Sequence, residues 1–432
     1  MTPEQIEALA PAFTDYLDQF LFCCGYTQTF DLLGGYCRGL LSDRKRKTCE
    51  PLALNAGVAV RTLQEFLTTA SWDHPGLRHA LQQLLADRLP ALADDGLGTV
   101  GIIDETSARK QGDQTPGVQR QHLGCVGKLD NGIVTVHLAV ARGRFKALLD
   151  ADLFLPESWD ADRQRCRRAA IPETLRYQPK WQIALGQLAR AQGNGLHFDW
   201  LTFDEGYGQI PAFLALLDFA GQKYVAEVPV SFSCRRGSSP KAHRADVLMA
   251  SRAARRQPWQ RFRLRTQTGP DQVWEAKALP IRLSRRSPAA HRLVVARNVA
   301  TGAVKYFVTN APRRVRLRQL LRVAFVRWNV EHCLRVSKSE VGLTHFEGRS
   351  YVGLMRHLIL CLTALGFVAL HTEQLRGGKP GGDAGTGVPG VERPLRGAAA
   401  AATGNGSNPA HGGGHRVSPG AQPGRTGVEA EA

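Results

Sequence analysis

Two aspartates stand where an apolar run gives way to a polar one: Asp104 in GTVGIIDET and Asp204 in FDWLTFDEGYG. Each run reads as a buried β-strand ending at its aspartate, with a second acid, Glu105 or Glu205, directly after it. In open α/β sheets ligand chemistry collects at such carboxyl ends, because the loops there are exposed while the strands fix position. Two neighbouring carboxylates repel, and burial disfavours their ionisation further; a shared proton or a bound cation resolves the conflict. An all-oxygen donor set suits Mg2+, with Mn2+ as the alternative, better than zinc. Two such ions can activate water and stabilise the leaving oxygen of a phosphodiester. An aspartate after a strand is equally a common turn or helix-capping residue, so neither acid is decisive alone.

A third acid lies in FVRWNVEHCLRVSKSEVGL. Wound as a helix, this stretch puts Arg327, Glu331 and Lys338 within about 40° of one another. The ordinary reading is i,i+4 pairing of Glu331 with Arg327 and Arg335. The chemical reading makes Glu331 the third metal carboxylate. Arg327 would then grip a phosphate as a bidentate fork and Lys338 as a point charge.

Composition favours a polyanionic partner. The 432 residues carry 56 Lys and Arg against 38 Asp and Glu, a formal net charge of +18, and such a surface attracts nucleic acid through its phosphates. A two-carboxylate hydrolase of polysaccharides would explain neither this charge nor the two cations beside Glu331. The nine cysteines form no CxxC pair, which points to reduced thiols in a cytoplasm. The N-terminus has no basic region ahead of an apolar one. The longest apolar run, Leu358 to Leu370, is shorter than the ~20 residues a membrane-spanning helix needs. A cytoplasmic protein without a membrane partner is expected, nucleoid-associated when bound to DNA.

Positioning these residues requires a sheet. Residues 1–95 read as helices, and within them PLALNAGVAVRTLQEFL has the outline of a helix-turn-helix: Ala53 at the helix contact, Gly57 at the turn, Leu63 and Phe66 as anchors. Its second helix would present Arg61, Thr62, Gln64 and Glu65 outward, to bases if it reads DNA and to solvent if it is a plain hairpin. The preceding run Arg44, Lys45, Arg46 and Lys47 would contact phosphates. Residues 96–230 alternate strands and helices, with a hairpin expected to turn at Asp130-Asn131-Gly132. A β-rich, basic insertion follows at 231–312, then a helical segment, 313–375, that carries Glu331. The glycine- and alanine-rich remainder, 376–432, lacks the apolar side chains to fold and is expected to be disordered. The order strand, hairpin, crossover helix, strand, helix, strand fits an α/β, ribonuclease H-like mixed sheet of order 3-2-1-4-5, which sets the Asp104 and Asp204 strands side by side.

IIDET, GVQRQHLGCVGKLDNG, TFDEGYG and RWNVEHCLRVSKSEVGLTHFEGRS, in that order and with RHLIL downstream, resemble the DDE transposases of bacterial insertion sequences, especially the insertion-sequence 701-type group described as DDE superfamily endonucleases. The resemblance runs from about residue 15 to about residue 370. It implies a catalytic triad of Asp104, Asp204 and Glu331 holding Mg2+ or Mn2+, and cleavage of DNA at terminal inverted repeats. It also implies strand transfer into target DNA by a homodimer in a synaptic complex. The family's Tyr–Arg–Glu–Lys signature is matched by Arg327, Glu331 and Lys338, while its tyrosine position holds Ala324. That departure keeps open a catalytically inactive, transposase-derived DNA-binding protein.

Overall fold

The computed structural model describes residues 8–237, 239–264, 271–284 and 290–377, the side chains at 329, 376 and 377 excepted. The expected disordered tail lies outside these residues from 378 onward.

Among the described residues five α-helices come first: α1 (Leu9–Asp18), α2 (Thr27–Leu41), α3 (Cys49–Ala56), α4 (Val60–Thr68) and α5 (His74–Arg88). Helices α3 and α4 are the pair expected from the glycine turn. Gly57 sits at φ 68°, the left-handed conformation that ends a helix and that a side chain disfavours. Ala53, Leu63 and Phe66 are buried, and Arg61, Thr62, Gln64 and Glu65 are exposed.

The sheet begins with β1 (Val100–Arg109), β2 (Gln119–Leu123), β3 (Lys128–Arg142) and β4 (Phe145–Leu153). Crossover helix α6 (Lys180–Gly193) leads to β5 (Trp200–Phe203), and α7 (Pro211–Phe219) leads to β6 (Tyr224–Val228). Strands β7 (Gln260–Leu264), β8 (Gln272–Ile281), β9 (His291–Asn298) and β10 (Val304–Thr309) come from the basic insertion. They extend the central sheet, because β10 pairs antiparallel with β6. Among the described residues one ten-stranded sheet results, running β3-β1-β5-β6-β10-β9-β8-β7, with β2 and β4 both paired to β3. Strands β1, β5 and β6 are mutually parallel.

Three expectations change. Strand β1 does not end at Asp104: it continues to Arg109 because β3 stays paired with it along its whole length, and only the parallel pairing with β5 stops, at Ile103 opposite Phe203. The hairpin does not turn at Asn131-Gly132, which lies inside β3 between β1 and β2; the turn is the loop at 124–127. Gly132 serves a close approach instead, since a Cβ there would meet the Ala108 carbonyl oxygen at 2.4 Å. Asn131 donates its side-chain amide to the carbonyls of Lys110 and Gly112. Strand β4, absent from the expected order, returns through Gly143 at φ 55°.

Two long helices end the described residues, α8 (Leu317–Ser339) across β5, β1 and β6, and α9 (Tyr351–Gly377) against β4, α2, α4 and α5. Helix α9 is longer than its apolar run suggested. By length and composition Tyr351–Leu375 would suffice to cross a membrane, but 83% of its most apolar window is buried inside the protein. Its Arg356 donates to the carbonyls of Phe66, Leu67 and Ala70, closing the carboxyl end of α4, and its guanidinium lies 4.8 Å from the Trp72 ring. A buried cation on the carbonyls at a helix carboxyl end is a strong tie. Arg356→Leu should therefore cost about 3 kcal/mol, seen as an earlier urea midpoint; an unchanged midpoint would show that α4 is held by apolar contacts alone.

Candidate active site

The parallel register makes Asp104 and Asp204 neighbours, since they follow the paired residues Ile103 and Phe203. Asp104 accepts a hydrogen bond from the backbone N–H of Glu105 (2.8 Å), and Asp204 caps a short helical turn by accepting from the N–H of Tyr207 (3.3 Å). Burial pushes the Asp104 carboxyl up from 3.8 to about 6, with Arg327 opposing the rise and Asp204 adding to it. Burial likewise raises Asp204, again against Arg327. The Tyr207 hydroxyl is buried without a hydrogen-bond partner among the described residues, and its ionisation is opposed by Glu105, Asp204 and Asp104.

Cations arrive from three elements. Lys180, at the start of α6, pairs with Glu105 at 2.7 Å. From α8, the Arg327 guanidinium lies 3.7 Å from Asp104 and 3.2 Å from Glu227 on β6, and Glu227 also pairs with Lys305 of β10. Lys338, half-buried further along α8, is felt by the buried His137, which pairs with Asp104 across β1 and β3. Both aspartates and Arg327 thus meet where the parallel pairing of β1 with β5 stops.

Glu331 stands on the same helix between these cations, exposed, and it makes no ion pair or hydrogen bond among the described residues. Its two expected i,i+4 partners are turned elsewhere, Arg327 to the acids of the sheet and Arg335 to His332. Position 324 is buried, so the alanine there fills core rather than facing the site. Glu227, Lys305, Lys180 and Tyr207 carried no expectation. The signal for Glu227 was a lone acid within the apolar strand KYVAEV.

Among the four basic residues expected on phosphates, Arg44, Lys45 and Arg46 are exposed, with Arg46 paired to Glu347. Lys47 is not: it is 1% exposed, and its ammonium donates to the carbonyls of Gly39 and Ser42. A charge run ordinarily reads as a solvated face, but here the chain turns its last member beneath the loop that carries Gly342 and His345. Lys47→Met should shift thermal stability and leave the salt dependence of DNA binding unchanged, whereas Lys45→Ala should lower the slope of log K against log salt by about 0.9; the reverse pattern would restore Lys47 to the DNA surface.

The raised Asp104 carboxyl makes a stability prediction with a definite sign. Its folded value, about 6, exceeds the ordinary 3.8, so a destabilisation develops as pH rises through that window and persists above it. Its size is on the order of 3 kcal/mol. Asp104→Asn should therefore melt higher than the metal-free wild type at pH 8 and equally near pH 4. A lower melting temperature at pH 8 would mean that Arg327 fully compensates the charge.

The donor chemistry fits a divalent cation: two adjacent, incompletely compensated carboxylates with oxygen neighbours attract a hard ion. Among the described residues no three His, Cys, Asp or Glu side chains already converge as a ligand cage. A cavity of about 520 Å3 lies at the other ends of β1 and β5, lined by Gly98, Arg142 and Trp200, and neither aspartate borders it.

Residues 20–292, which include Asp104, Asp204 and Glu227 but precede Arg327, Glu331 and Lys338, match the family described as DDE superfamily endonuclease. A probable transposase for insertion sequence element IS701 from Microchaete diplosiphon is 32% identical over 192 residues, 44% of this chain and 46% of that relative. The chain therefore spans under half the length of the relative it matches. With the two aspartates adjacent where the parallel pairing of β1 and β5 stops and the match covering both, the chain belongs to the DDE superfamily endonucleases.

Proposed function

We propose that this protein is a transposase that cuts DNA at the ends of an insertion sequence and joins the freed 3′ end to target DNA. Its core strands, in the order β4-β3-β1-β5-β6, support a ribonuclease H-like assignment, since relabelled in chain order without the small β2 they read 3-2-1-4-5. The observation that carries the reading is the adjacent pair Asp104 and Asp204, buried enough to resist ionisation and open to a cation.

Asp104 and Asp204 would hold Mg2+ or Mn2+, with Glu331 extending from α8 as a third carboxylate. Bound there, the metal supplies an activated water and stabilises the leaving oxygen of the scissile phosphodiester. Arg327 and Lys338 orient the DNA strand by its phosphates, Arg327 through two donors and Lys338 as a point charge. The α3–α4 pair offers Arg61, Thr62 and Gln64 to base edges, and Arg44, Lys45 and Arg46 to the backbone. Joining two ends calls for two copies in one synaptic complex.

The exposed Glu331 and the alanine at 324 favour one rival, a DNA-binding descendant without catalysis. A cleavage assay on DNA carrying the element's own ends separates the two. The proposal expects strand breaks with Mg2+ or Mn2+, none with chelator, and joined products when target DNA is added. Specific binding without any break in either metal would leave only the rival.

A further inference from the structure

The register that aligns two aspartates aligns a third acid. Phe203 of β5 faces Ile103 on one side and Ala226 of β6 on the other. The next position on all three strands therefore forms a row: Asp104, Asp204, Glu227. Residues level with one another on parallel strands point to the same face of a sheet. Asp104 and Glu227 stand on strands two spacings apart, about 10 Å, yet the two arms of one guanidinium, that of Arg327, reach both. One guanidinium thus bridges the outer two acids of the row.

Two further observations point to a cation in this row. A cation, the Arg327 guanidinium, already sits there, 3.7 Å from Asp104 and 3.2 Å from Glu227. The Tyr207 hydroxyl, on a residue 4% exposed, has no hydrogen-bond partner among the described residues and lies in the field of Asp104 and Asp204. Arg327 standing between Asp104 and Glu227 also explains why no finished cage is present.

Building on the transposase reading of the same site, we propose that Glu227 is a third carboxylate of the divalent-cation site in the DNA-free protein, and that Arg327 is the counter-ion the metal displaces. Once displaced, the guanidinium is free for a phosphate, so metal loading and strand binding are linked through one side chain. Lys305 stays on Glu227 and tempers its charge.

The test is Mn2+ binding by the full chain without DNA, followed by electron paramagnetic resonance, which counts free Mn2+. Arg327→Met should bind Mn2+ at least as tightly as wild type, because a competing cation is gone. Adding Glu227→Gln in that background should weaken binding about tenfold or more. The background matters: if Glu227 acts only by holding Arg327, the glutamine will change nothing once Arg327 is absent, and the proposal is overturned. Should the loss of charge beside Lys305 prevent folding, as a circular dichroism melt would show, Glu227→Gln with Lys305→Met removes both partners and is judged by the same criterion. Asp204→Asn separates the two levels of inference. If it binds Mn2+ like wild type, the whole metal site is misplaced. If it loses binding while the Glu227 variant keeps it, the aspartates stand and only the role of Glu227 falls.

Discussion

Asp204→Asn is expected to lower single-turnover DNA cleavage by about a thousandfold or more while leaving binding to the same DNA within a few-fold of wild type. The asymmetry follows from what the carboxylate touches. Asp204 lies beside Asp104 at the end of β5, and its Oδ1 accepts from the Tyr207 N–H. Asparagine keeps the shape and the acceptor for the Tyr207 N–H, so the helical turn at 205–208 should survive. What disappears is one negative charge from a site whose catalysis is electrostatic, and losses of several kcal/mol of transition-state stabilisation are ordinary there. Affinity for DNA arises mainly from dispersed phosphate contacts on a chain of net charge +18, so it should barely respond. Cleavage by the variant at the wild-type rate would remove Asp204 from the chemistry. A parallel collapse of binding would instead mean that the substitution disturbs the fold.

The largest stability effect is expected far from that site, at Arg190. Its guanidinium donates to Asp150 (2.7 Å) and Asp152 of β4, and Arg78 of α5 reaches the same two acids. Gln82 of α5 also donates to Asp150, whose side chain is 0% exposed. Burial and Asp152 raise the Asp150 carboxyl, and the two arginines oppose them. This network ties the amino-terminal helices to the sheet and to α6. Arg190→Met should cost about 3–5 kcal/mol, because it leaves two acids, one of them fully buried, sharing the single arginine Arg78. Combining it with Asp150→Asn should recover much of that loss, as removing both charges removes the desolvation penalty as well. A double variant as unstable as the single one would show that Arg190 matters for packing and not for charge. Measured by urea unfolding, the two cases are well separated.

How much of this was legible in the sequence depended on whether the deciding contact was local. Asp104 and Asp204 could be found because an acid ending an apolar run is visible in one dimension, and the helix pair around Gly57 because turn chemistry is local as well. The hairpin turn went astray because Asn131-Gly132 has the chemistry of a turn, yet β1 and β2 pair on either side of it and hold it extended. Lys47 looked like its neighbours in the basic run until the Gly342 loop covered it. Glu227 could not be singled out: an acid in a strand ordinarily faces solvent, and its place beside Asp204 is set by a three-strand register that no single stretch contains. Glu331 shows the same limit from the other side. Its helical spacing puts it on the stripe of Arg327 and Lys338, but helix periodicity does not say how far that stripe stands from the sheet.

The central claim is that Asp104 and Asp204 together bind a divalent metal, and iron substitution tests it most directly. Fe2+ accepts oxygen ligands and at a given site binds more tightly than Mn2+, and with ascorbate and peroxide it generates radicals that cut the nearest polypeptide backbone. The account predicts cuts clustered beside Asp104 and Asp204, suppressed by excess Mg2+ and absent from Asp204→Asn. Cuts confined to other parts of the chain, or an unchanged pattern in Asp204→Asn, would contradict it.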